Sequence, residues 1–308
     1  MTELSKPMSR REGIHQQMFE RADSTIVAVV RIVTGIAIFL WACSYTKMVP
    51  YDSQWLPVYD PVFLKPRILF KYAGFEWVQL WPGNGIYWHF LITKVAAVFL
   101  VIGFLSRLSA AILCASIAYV MLVERQIYLN HYYLLACVAG LLVFLPAGRR
   151  WSIDSVIGIE PRRTTIANWQ LWLLRFQLGM PYVFGAIAKL DSDWFAGAPG
   201  RILLESRSDL WLVDAYLKMP GAVVAFAVGG FLYDLLVVPM LLWHRTRMVA
   251  VLMSIVFHVT NSQLFVIGIF PWFMLATLIV FFPPDTAPRL FRWISSKYTD
   301  EPLTYDEA

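Results

Sequence analysis

Eight apolar runs of about 16–22 residues constrain this chain more than any motif does. A run of that length crosses a hydrocarbon core of about 30 Å as a helix. Lipid admits only helices and closed barrels as spanning structures. The runs cover about Thr25 to Cys43, Gly85 to Leu105, Leu108 to Val123, Tyr128 to Pro146, Asn168 to Ala188, Ala222 to Trp243, Met248 to Gln263, and Leu264 to Phe282. Pro283 and Pro284 stop the last one. Only 15% of the 308 residues are charged and 58% are hydrophobic, where a soluble domain has roughly 25% charged. The expected fold class is all-α: a polytopic integral membrane helical bundle of about eight transmembrane helices.

The expected domains are a cytoplasmic N-terminal segment at 1–22, a transmembrane domain at 23–284 and a short cytoplasmic tail at 285–308. The N-terminal segment reads as an interfacial helix or as partly disordered. It has no signal-peptide cleavage site. Residues 44–84, rich in aromatics and prolines, read as an interfacial segment on the outer face. Residues 147–165 read as a basic interfacial linker, and residues 191–219 as a polar loop with a short helix near Arg201 to Leu217. Lys and Arg counts in the connections set orientation. With the N-terminus inside, 14 fall inside and 9 outside, which favours N-in and C-in.

Thirteen tryptophans and fourteen tyrosines suit aromatic belts at two interfaces. The net charge of +5 therefore points to topology and to membrane lipid as a partner. No basic block interleaved with aromatics occurs, so no nucleic acid is expected. Cys43, Cys114 and Cys137 form no CxxC pair, which indicates neither a disulfide framework nor a zinc site.

The topology places three polar groups at one membrane face. Asn130 and His131 open the fourth run, Lys189 ends the fifth, and His258, Asn261 and Gln263 approach the same face from the seventh. Convergence of this kind in an apolar bundle is what a binding or active site requires. Lys189 admits two readings. A lysine at a helix end can snorkel its ammonium into the headgroups. Shielded from water, the neutral amine becomes available as a general base. Asp191 and Asp193 oppose the second reading if they face the lysine.

Arg175, Tyr182 and Lys189 recur every seven residues and so share one helix face. Pro181 interrupts that helix. His258 and Asn261 are neighbours at i, i+3 and could equally form a helix–helix polar contact. No histidine has a ligand-spaced partner, so no metal is expected. Arg31, Asp154 and Asp234 read as structural polar residues. Arg31 needs a partner inside the membrane, and Asp234 is a candidate from charge alone.

Several stretches carry a family resemblance. YVFGAIAKLDSDW (182–194) resembles the segment bearing the catalytic lysine of vitamin K-dependent gamma-glutamyl carboxylase. FHVTNSQLFVIGIFPWFML (257–275) resembles that enzyme's NSQLF region. WSID (151–154), LNHYYL (129–134) and TIVAVVRIVTG (25–35) match further patches in the same order. The resemblance spans about residues 20–290 and concerns the membrane domain only.

The resemblance implies a reaction. Reduced vitamin K, a hydroquinone, is deprotonated and reacts with O2. The strong base so formed removes a γ-proton from glutamate, the carbanion adds CO2, and the quinone leaves as its epoxide. Carried over, Lys189 deprotonates the hydroquinone, with Asn130 and His131 positioned near the reacting groups. His258, Asn261 and Gln263 line the glutamate side, while Tyr182, Arg175, Asp191 and Trp194 complete the quinone and substrate pocket. The cofactor is phylloquinol or menaquinol, with O2 and CO2 as co-substrates and a glutamyl peptide or protein as partner.

Ala188 departs from the second lysine expected in animal enzymes. With about 25 residues after the last run, no large lumenal domain like theirs is expected, and so no propeptide-docked substrate. The expectation is a compact microbial member in a bacterial plasma membrane, with its active site toward the outer face. Two alternatives stand beside it. One is a quinol epoxidase that carboxylates nothing. The other is a non-enzymatic immunity, transport or interaction module of the same fold.

Overall fold

A computed structural model of the chain describes residues 18–51, 54–59, 68–207, 209, 211–219, 221–265, 267–290 and 292. Most of the proposed N-terminal segment and C-terminal tail therefore lies outside the described residues. Strand β1 (Arg21–Asp23) leads into helix α1 (Thr25–Ser44). A hairpin of β2 (Thr46–Tyr51) and β3 (Gln54–Tyr59) follows, and then α2 (Gly85–Ile102), α3 (Ser106–Val123) and α4 (Asn130–Phe144). A short α5 (Ile153–Val156) and strand β4 (Thr165–Ala167) precede α6 (Asn168–Ala188). Three short helices, α7 (Ser192–Phe195), α8 (Ala198–Glu205) and α9 (Trp211–Leu217), lead to α10 (Ala222–Leu242) and α11 (Arg247–Leu264). The last helix, α12 (Phe270–Thr277), continues as a 3-10 turn over Leu278–Phe281.

All eight apolar runs are helical. Among the described residues, five helices are long and apolar enough to cross a membrane: α1, α2, α3, α6 and α10. Helix α4 is shorter at 15 residues, and α11 is more polar, carrying Ser254, His258, Asn261 and Gln263. The eighth run is divided. Phe265 and residues 267–269 lie between α11 and α12, with Gly268 at φ +56° and Pro271 in the first turn of α12.

Helices α1 to α4 pack in sequence, α6, α10, α11 and α12 form a second group, and α4–α6 and α1–α12 contacts join the two. Helix α2 shows why this is a membrane fold. Ile86, Phe90, Ala97 and Leu100 are buried on its inner face. Its outer face is equally apolar, with Leu91, Ile92, Val95 and Val98 exposed. The same holds for Leu232, Leu235 and Leu236 on α10. Apolar side chains on both faces suit a bundle surrounded by lipid.

The segments between runs hold more structure than their composition suggests. Residues 44–84 read as an interfacial segment interrupted by prolines, yet Pro50 and Pro57 both sit in the β2–β3 pair. In a two-stranded sheet every strand is an edge strand, where proline is tolerated. Downstream, Lys71 donates to the carbonyls of Val78 and Val123 at 2.6 and 2.8 Å, and Glu124 accepts from the Phe70 N–H at 3.0 Å. These bonds tie the loop to the end of α3. β1 pairs antiparallel with β4, and Arg150 bridges to Asp23 at 3.0 Å. The polar loop at 191–219 holds three helices where one was expected.

Arg31 organises this end of the molecule. It is fully buried, and Asp234 is not its partner. Its Nη1 donates to Ala147 O at 2.9 Å and to Arg150 O at 3.4 Å, while Nη2 donates to Trp151 O at 2.5 Å and Val101 O at 3.4 Å. A guanidinium has five N–H donors and so can gather several carbonyls of an irregular segment. Gly103 makes room: it ends α2 at φ +70°, and a Cβ there would lie 2.4 Å from Arg31 Nη1. Asp154 completes the junction, accepting from the Leu105 and Ser106 N–H groups at 2.7 and 2.8 Å. It thereby caps the start of α3.

Replacing Arg31 by Met should leave these buried carbonyls without donors and destabilise the fold by about 3 kcal/mol. Thermal unfolding in detergent should show this loss, and Arg31→Lys should recover only part of it, because an ammonium lacks the planar fork.

Candidate active site

Lys189 is the residue that closes α6. The Ala186 carbonyl accepts its backbone N–H, and the Ile187 carbonyl accepts that of Leu190. Its side chain turns back toward the bundle, with Nζ 2.5 Å from Asp234 Oδ2 on α10 and 3.3 Å from Gly185 O. Lys189 is thus drawn inward rather than snorkelling. Asp234 is buried at 6% exposure, and it is the one acid within the 21 residues of α10.

Gly185 allows this approach. A Cβ at that position would sit 2.5 Å from Asp234 Oδ2. The Trp194 ring lies over the ammonium, 5.0 Å from Nζ to its centroid, within the range of a cation–π contact. Its indole N–H donates to Ala227 O at 2.9 Å, which fixes the ring in place.

Asp191 has another task. Its Oδ1 accepts from the Asp193 N–H at 2.7 Å, so it caps α7, and both acids are exposed. Their feared opposition to a neutral lysine is supplied instead by Asp234, which sequence reasoning placed elsewhere. The available signal was a lone acid in an apolar helix, which needs a cation. The sequence reading offered Asp234 to Arg31, and the same signal fits Lys189 equally.

A second polar group adjoins the first through Tyr233, the neighbour of Asp234. Tyr182 is buried, its hydroxyl 2.8 Å from His258 Nε2, and its ring meets that of Tyr233 edge-on at 5.8 Å. Tyr233 donates to Ser254 Oγ at 3.0 Å and stacks on Phe257 at 3.9 Å. His258 is 2% exposed, and its Nδ1 has no hydrogen-bond partner.

Phe270 links this group to His131. Its ring lies 6.4 Å from the His258 ring and 5.3 Å from the His131 ring. His131 is half-buried and lines a cavity of about 110 Å³ with Trp41, Ser44, Tyr132 and Phe270. The Trp41 indole N–H is buried there without an acceptor. Neither Trp41 nor Tyr233 stood out in the sequence, where each is one aromatic among many.

Other expected residues lie apart. Arg175 is two helix turns from Tyr182 and four from Lys189, about 21 Å along the axis. It donates to Val280 O at 2.7 Å and Phe282 O at 3.0 Å. Sharing a helix face with Lys189 does not bring it to the site. Asn130 is exposed at the start of α4. Asn261 is half-buried. Gln263 is exposed, its side-chain amide donating to Ser262 Oγ at 3.2 Å and its backbone carbonyl accepting from Arg207.

The geometry defines a helical membrane protein with a buried amine–carboxylate pair beside an aromatic, histidine-bearing interior. A family model, the HTTM domain, matches residues 19–286. The chain belongs to that family, the transmembrane domain of vitamin K-dependent gamma-carboxylases. No solved structure matches it.

Gly185→Ala should force the Asp234 carboxylate off the lysine and lower stability by about 1–3 kcal/mol. In an Asp234→Ala background the same substitution should cost much less. A double-mutant cycle read by thermal unfolding separates the two terms.

Proposed function

We propose that this protein is a quinol-dependent carboxylase that couples oxidation of reduced vitamin K by O2 with CO2 addition to the γ carbon of glutamate. The observation that carries the reading is the Lys189–Asp234 pair at 2.5 Å under the Trp194 ring, on the segment that resembles the family's catalytic lysine. When bound, reduced vitamin K supplies, together with O2, the strong base that deprotonates glutamate.

The residues present suit such a group. An amine and a carboxylate stand where a ring hydroxyl needs an acceptor, and aromatic faces from Trp194, Tyr182 and Phe270 suit a naphthoquinol. Lys189 would hold its hydroxyl end. The cavity at His131, about 110 Å³, is well below the ≈ 300–1,000 Å³ usual for drug-sized ligands. Its volume suits a small gas molecule such as O2 or CO2. Leu40, Ser44 and Gly268 of its lining are exposed.

Lys189 acts as the base only when its own proton has moved. Asp234 Oδ2 is placed to receive that proton, leaving a neutral amine and a neutral acid. Trp194 and Gly185 keep the pair close and shield it from water. Orientation by the positive-inside rule sets Lys189, His131 and His258 toward the outer face of a bacterial plasma membrane.

One observation favours a narrower reading, an epoxidase without carboxylation. Gln263, assigned by resemblance to the glutamate side, is exposed and engaged by its neighbours rather than gathered to Lys189.

Purified protein given reduced vitamin K, labelled bicarbonate and a glutamyl peptide should fix label and form epoxide. Lys189→Ala should reduce both to background. Asp234→Asn should lower both by about 10²–10⁴-fold, the range for a general acid–base group. Epoxide without fixed label selects the narrower reading, and neither product from the wild type sinks both.

A further inference from the structure

At the opposite end from Lys189, around the Arg31 junction, lies a cavity of about 620 Å³. Two of its walls differ in kind. Arg150, Trp151 and Arg292 form a polar rim, and Val29, Ile32 and Val33 of α1 form an apolar wall. Neither wall belongs to the site described above.

The rim is built rather than incidental. Trp151 sits at φ +50°, a conformation strained for a bulky residue. It is held there by its carbonyl bond to the buried Arg31. The Arg150 guanidinium lies 5.9 Å from the Trp151 ring centroid. Asp23 engages Arg150 through Nη1 alone, and the guanidinium carries three further N–H donors on Nε and Nη2. Arg292 is exposed, and its Nε contact to Pro288 O is long at 3.4 Å. Against Asp23, two arginines leave the rim net positive.

The apolar wall does not end at the cavity. Ile32, Ile36 and Leu40 follow at i, i+4 and i+8 along α1 and so share one face. Ile36 and Leu40 are 45% and 44% exposed. From Val29 to Leu40 this track runs about 16 Å along the helix. A water-soluble anion has no use for such a track, whereas an acyl chain does.

We propose that this cavity is a headgroup site for an anionic phospholipid. Its phosphate would lie between Arg150 and Arg292 beside the Trp151 ring, with one acyl chain along Ile32, Ile36 and Leu40. Basic pockets between helices beside a membrane surface take lipids of this class. Trp at the level of the headgroups matches its interfacial preference.

The test is native mass spectrometry of the full chain, titrated with phosphatidylglycerol or phosphatidylcholine, alongside thermal unfolding with the same lipids. Phosphatidylglycerol should be retained at one molecule per chain and raise the unfolding temperature, and phosphatidylcholine should do neither. Arg292→Ala should weaken retention about fivefold, as expected for one arginine at a membrane surface. Arg292→Glu should weaken it further and Arg292→Lys should largely preserve it. Because Arg292 is exposed, these variants leave the fold intact.

Equal retention of phosphatidylcholine would overturn the proposal, as would retention unchanged by Arg292→Glu. Stabilisation by inorganic phosphate equal to that by phosphatidylglycerol would also overturn it, by marking a site for free anions.

Discussion

A charge inside hydrocarbon has no water to solvate it, so it must find its partner within the chain. Three cations of this molecule meet that demand in different ways. Arg31 and Arg175 are held by backbone carbonyls, whereas Lys189 is held by the carboxylate of Asp234. The difference decides what each can do. A carbonyl accepts a hydrogen bond but cannot carry away a proton, so the arginines organise structure. A carboxylate can take the proton, so the Lys189 arrangement admits proton exchange as well as cohesion. Among the described residues it is also the one ion pair that joins two spanning helices.

The two ends of the bundle divide along that line. One end, with Arg31, Asp154 and the β1–β4 ribbon, is a junction in which irregular backbone finds donors and caps. The other end places titratable side chains among aromatic rings, from Trp194 through Tyr233 and Tyr182 to His258, Phe270 and His131. Small residues set the tolerances at both ends. Gly103 admits the guanidinium and Gly185 admits the carboxylate, and each stands where a single added carbon would collide.

The spans were legible because long apolar runs have one solution in lipid. Their interruption near Gly268 was not, since Leu264 to Phe282 is apolar throughout and only a positive φ reveals the break. The β2–β3 hairpin was hidden by its prolines, whose tolerance depends on strand position rather than on composition. Lys189, His131 and His258 could be gathered at one face from topology. The identity of the lysine's partner could not, because charge alone ranks Arg31 and Lys189 equally. What separates them is depth and direction: Arg31 points into the 147–151 segment, and Lys189 points back along α6. Arg175 shows the converse error, since a shared helix face says nothing about position along the axis.

The hydroxyl chain beside the site has a direction of its own. Tyr233 donates to Ser254, whose hydroxyl donates in turn to Ala250 O at 2.8 Å. That chain ends on a backbone carbonyl and is a dead end for proton traffic. The bond between Tyr182 and His258 is different, because its donor is set by the imidazole tautomer and either end can give the proton. Of two neighbouring tyrosines, Tyr233 therefore donates in a fixed direction toward Ser254, whereas the direction of the Tyr182 bond follows the tautomer of His258.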